Sequence, residues 1–124
     1  MDISFQDPNQ IPLPPGEVRI QQLRGALYPD GRRVKVSVTL TPFQKRPSLS
    51  LEVRDALAQI VAETQVIETM AASLDLNLHL RHPDPQPPYT LVATLFYTPP
   101  IEPDAASLPE RTVVDTASSS VSLP

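Results

Sequence analysis

Sixteen prolines punctuate this chain of 124 residues, at positions 8, 12, 14, 15, 29, 42, 47, 83, 85, 87, 88, 99, 100, 103, 109 and 124. Proline has no amide proton to give to a sheet ladder or a helix interior, so it collects at strand edges, strand ends and connections. Regular structure is therefore expected in the clean stretches between these positions. Residues 1–16 read as a proline-rich, flexible N-terminal arm, and 17–124 as one folded domain, with an irregular loop from Pro99 to Pro109.

Within the clean stretches the hydrophobic period is two, which is the pattern of a strand with one buried face. Val34, Val36, Val38 and Leu40 alternate with polar residues from Arg33 to Thr41, and Leu74, Leu76, Leu78 and Leu80 do so from Ser73 to Arg81. Shorter alternation runs through Leu49, Leu51 and Val53, and through Tyr89, Leu91, Ala93, Leu95 and Tyr97. Val18 and Ile20 open a further strand whose phase slips before Leu23, as a bulge would cause. Arg111 to Leu123, rich in Val, Thr and Ser, supplies the last.

The stretch from Val53 to Leu74 is ambiguous, because its apolar residues also fall at helical spacing, and a helix over 55–72 within an α+β fold is the alternative. Ile60, Val61, Thr64, Val66 and Ile67 are β-branched and favour a pleated surface. The preferred reading is two strands joined by a turn at Asp55-Ala56-Leu57-Ala58.

About seven strands at these spacings define an all-β chain, and their pattern resembles the antiparallel β-sandwich of immunoglobulin-like and fibronectin type III-like domains. Tyr89, after Pro87-Pro88 and in phase with the inward Leu91, resembles the tyrosine corner of such domains, which implies a structural hydroxyl bond to upstream backbone. The resemblance is architectural. Without cysteine or tryptophan, an antibody-type domain with its inter-sheet disulfide is excluded.

Composition narrows the chemistry. Ten Lys and Arg against fourteen Asp and Glu give a net charge of −4, which disfavours nucleic acid as a partner. No apolar run approaches the roughly 20 residues of a membrane span, and the acidic start is unlike a signal peptide, so the expected location is cytoplasmic. With no cysteine and three glycines there is no thiol chemistry, P-loop or dinucleotide fingerprint. His79, His82 and Asp84 are the one conceivable metal cluster, but strand residues three apart face opposite ways. The serines lack a G-x-S-x-G elbow, and Glu52, Glu63, Glu68 and Asp75 fall at solvent-facing positions, where carboxyls make weak general acids. No catalytic residue, cofactor or metal is expected.

What remains is contact. If Tyr89, Leu91, Ala93 and Leu95 face the core, Val92 and Phe96 point outward from the same strand, as contact residues do. Ile3 and Phe5, apolar in a polar arm, could cover such a patch within the chain or in a neighbour. The expected function is thus a non-catalytic protein-interaction or assembly module, a homo-oligomer or a partner of another protein, using an outer sheet face or an edge strand. The alternative is a small-ligand or carbohydrate binder using loops that carry Phe43, Arg46, His82 and Asp84.

Overall fold

Each alternating segment forms a strand in the computed structural model, which describes residues 11–99 and 111–124. A 3-10 turn at Pro15–Glu17 precedes β1 (Ile20–Leu27), β2 (Arg33–Leu40), β3 (Ser48–Arg54), β4 (Ile60–Val66), β5 (Ser73–His79), β6 (Thr90–Tyr97) and β7 (Thr112–Ser122). The contested stretch is β4 and the start of β5, joined to β3 by a turn, so the helix over 55–72 is not formed. β1 shows the anticipated irregularity, a register shift between Ile20 and Gln22.

The strands follow the order β4-β3-β6-β7-β1-β2-β5. Two layers result, β4-β3-β6-β7 and β1-β2-β5, and β7 joins them by pairing antiparallel with β6 and parallel with β1. The β1–β7 pair is the exception to an otherwise antiparallel arrangement. β4 and β5 are the two lateral edges. Among the described residues, no helix is long and apolar enough to cross a membrane.

The core is built from the predicted inward residues. Val34, Val36, Val38 and Leu40 of β2 face Leu49, Leu51 and Val53 of β3 and Leu91, Ala93 and Leu95 of β6, all buried. Burying each such Val or Leu side chain contributes about 1.5–3 kcal/mol.

Residues 11–16, at the end of the expected arm, pack against the domain. Leu13 donates its N–H to Pro42 O at 3.1 Å and accepts from Gln44 N at 2.9 Å, forming a parallel bridge with Phe43. Val18 is fully buried. Ile3 and Phe5 lie outside the described residues.

The pairings also assign the connections to two poles. One pole carries residues 11–19, the β2–β3 and β4–β5 connections, the end of β6 and the start of β7; the other carries β1–β2, β3–β4 and β5–β6.

Two backbone positions constrain this frame. Gly25 sits where β1 meets β7, and a Cβ there would lie 3.1 Å from Val121 Cγ2 and 3.2 Å from Leu91 Cδ2. Ala58 closes the β3–β4 turn at φ 63°, a left-handed conformation that disfavours any side chain. In urea denaturation, Gly25→Val is expected to lower stability by about 1–3 kcal/mol through overpacking. Ala58→Gly is expected to raise the midpoint or leave it unchanged, because relief of the strained φ offsets the greater freedom of the unfolded chain.

Candidate interaction edge

On the outer face of β6, Val113 of β7 stands beside Phe96 and is exposed, but Phe96 itself is not. Ladder partners share a face, so Val92 lies between Glu52 of β3 and Ser118 of β7, and it is half-buried. Phe96 shares that face with Ser48 but is buried, with the Arg111 guanidinium in stacking reach at 4.5 Å from the ring centroid. Its direction follows the alternation, but it is not exposed as expected, because Arg111, at the start of β7, lies over the ring.

The loop residues Phe43, Arg46, His82 and Asp84 are not brought together. Phe43 and Arg46 belong to the β2–β3 connection, whereas His82 and Asp84 belong to β5–β6, at the opposite pole. β2 and β5 are antiparallel neighbours, so the segments that follow them emerge at opposite ends. The four residues cannot line one site.

At the β5–β6 pole the polar groups are engaged in holding the turn. Asp55 is only 6% exposed. Its carboxylate accepts from Leu57 N and Gln59 N, both at 3.0 Å, and from Gln86 N at 3.3 Å. Ala56 N donates to Gln86 O at 2.7 Å, so the β3–β4 turn and the β5–β6 connection are tied together. Desolvation pushes the Asp55 carboxyl up, but the N–H groups of Gln59, Gln86 and Leu57, with the nearby His82, outweigh it and hold the group below its ordinary value. His82 Nδ1 accepts from Asp84 N at 3.1 Å. Among the described residues, no group of three His, Asp or Glu side chains is placed to hold a metal ion.

Tyr89 and Tyr97 are both buried at the ends of β6. Tyr89 donates its hydroxyl to Pro85 O at 3.4 Å, four residues upstream, and Tyr97 donates to Lys45 O at 2.7 Å. Burial pushes both phenols up, with Asp55 and Asp84 adding to the rise at Tyr89. These hydroxyls brace connections.

Among the described residues, four of the seven large exposed hydrophobic side chains gather at β4, the others being Ile11, Val113 and Leu123. Leu57, Ile60, Ile67 and Met70, at 65%, 46%, 63% and 80% exposure, all lie on β4 or the turns flanking it. The turn after β4 is fixed in place: Glu68, at φ 48°, donates its N–H to Ser48 Oγ at 3.0 Å, and Thr69 N donates to Pro47 O at 2.9 Å. That anchoring leaves Ile67 and Met70 facing solvent. Among the described residues, one backbone hydrogen bond from outside the β3–β4 ladder reaches β4 itself, Arg81 N to Val61 O at 2.8 Å. Beyond it the edge is open. A cleft of about 500 Å³ lined by Ile60, Glu63, Arg81 and His82 and another of about 260 Å³ lined by Ser50, Glu63 and Gln65 border it. Sequence reasoning placed Glu63 in solvent but could not identify β4 as an edge, because strand order is a tertiary property.

No protein-family model matches the chain, and no curated protein matches it. Solved structures similar in fold include three β-glucuronidases. That of Bifidobacterium dentium, complexed with coumarin-3-O-glucuronide, has a TM-score of 0.52 at 14% identity, over 88% of this chain and 18% of the enzyme. Those of Ruminococcus gnavus, in complex with D-glucaro-d-lactam, and Lactobacillus rhamnosus have TM-scores of 0.49 and 0.47 at 13% and 18% identity, each over 86% of this chain and 16% of the enzyme. The chain thus spans less than a fifth of the enzymes it resembles. The B. dentium likeness is one of fold alone.

Because the folded-state pKa of Asp55 is depressed, its contribution to stability is present above the unfolded-state carboxylate value near pH 4. It is lost as pH falls through the lower folded value. Wild type is therefore expected to lose more stability between pH 5 and about pH 2 than Asp55→Asn, measured by denaturant midpoints, with the variant already weaker at neutral pH. Equal acid slopes would remove this role from Asp55.

Proposed function

We propose that the chain is a non-catalytic, immunoglobulin-like β-sandwich that works by protein contact along the open edge of β4. The supporting observation is the collection of Leu57, Ile60, Ile67 and Met70 on that strand and its turns. An exposed edge strand offers unpaired N–H and C=O groups to an incoming segment, and apolar side chains at both ends of the edge give that segment surface to bury. The two-layer strand arrangement and the Tyr89–Pro85 bond support the immunoglobulin-like reading.

The partner is a second copy of the chain or a separate protein. A carbohydrate-associated domain is the weaker reading. Its support is a fold likeness to under a fifth of a β-glucuronidase, and the separation of Phe43 and Arg46 from His82 and Asp84 counts against a loop site that joins them.

Light scattering after size exclusion, over a concentration series, tests the self-associating form. Ile67→Ser with Met70→Ser is expected to leave the melting temperature unchanged, since both side chains are exposed, and to remove any rise in mass above the 13.6 kDa of one chain. A wild-type monomer at every concentration would assign the edge to a separate protein. An oligomer that survives both substitutions would overturn β4 as the contact surface.

A further inference from the structure

We propose that the segment recognised by β4 is an extended strand from another protein, with a lysine or arginine level with Glu63 and apolar residues on either side of it. This rests on the β4 edge reading and identifies the chemistry of its partner.

The argument begins in the β3–β4 ladder. Glu52 and Glu63 are direct cross-strand partners, so their side chains leave the same face of the sheet. Like charges placed directly opposite each other destabilise a sheet. Glu52 is partly compensated, since Arg54 donates to Glu52 Oε2 at 3.2 Å. Glu63 has no ion-pair partner among the described residues, although Arg81 borders the same cleft. A strand added to β4 would continue the row Val92–Glu52–Glu63, about 4.8 Å further out. A cation at that point would relieve the opposition between the two glutamates, whereas an anion would extend it.

The neighbouring positions follow from the period of two. Ala62, Thr64 and Val66 pair with Val53, Leu51 and Leu49, and so share the core-facing side. Residues flanking the incoming cation would point to that side. There Val66 of β4 and Leu74 and Leu76 of β5 are only half-buried and pack against the core, so apolar side chains would be favoured. Arg81 and His82 border the Ile60 end of the groove, which disfavours a second cation there. The result is a short apolar–basic–apolar pattern with one register.

The same glutamate argues against a second copy's β4 as the occupant. Antiparallel pairing of two β4 strands centred on Glu63 would align Glu52, Glu63 and their two counterparts in one row. Charged residues on edge strands suppress such pairing.

The probe is a capped five-residue peptide with a central lysine flanked on each side by valine and then threonine. It is compared with an analogue carrying glutamate at the centre, each titrated into the full-length 15N-labelled chain and followed by amide chemical shifts. The lysine peptide is expected to shift resonances of Ala62–Val66 and to bind about three- to tenfold more tightly than the glutamate peptide. Glu63→Lys is expected to reverse that order. Equal shifts at β4 from both peptides would overturn the charge rule and leave the edge reading in place. Shifts absent from β4 with both peptides would overturn both.

Discussion

The pairing of β7 with both β6 and β1 is the constraint on which the remaining structure depends, because it places both layers in one hydrogen-bonded order. That geometry requires a close approach at Gly25, where Val121 and Leu91 occupy the space a side chain would need. With the layers held there, the inward faces of β2, β3 and β6 meet and exclude water from the core. The cost of the arrangement falls on the other side of the molecule, where β4 and β5 remain lateral edges. Among the described residues, a backbone bond from Arg81, just after β5, to Val61 of β4 ties them near one pole.

The polar groups divide into those that stabilise the frame and those that do not. Asp55 fully engages its carboxylate with backbone donors in two connections, so it is a lock on the turn rather than a source of protons. Tyr89 and Tyr97 brace opposite poles in the same way, through bonds to Pro85 and Lys45 carbonyls. Glu63 differs from all of them: it is exposed, set against a like charge, and located on an open edge. A group that opposes local stability in such a position is best understood through what would pair with it.

The fold was legible because alternation is a local signal. Val34 to Leu40 and Leu74 to Leu80 declare their buried faces within a few residues, and the β-branched residues from Ile60 to Ile67 were enough to favour a strand over a helix. The turn at Asp55–Ala58 forms without glycine or asparagine, since Asp55 supplies the side-chain acceptor and Ala58 takes the positive φ. The candidate contact residues were less legible. Phe96 points outward as its phase required, yet Arg111 covers it, and loops read as neighbours lie at opposite poles.

Period, proline placement and composition thus determined the number of strands, their inward faces and the absence of thiol chemistry, since each depends on residues within one short segment or on a count. Strand order, the edge position of β4, the Glu52–Glu63 opposition and the gathering of Leu57, Ile60, Ile67 and Met70 were decided by tertiary pairing alone. The physical reason is that alternation states which way a side chain points, while what stands in front of it is supplied by residues distant in the chain.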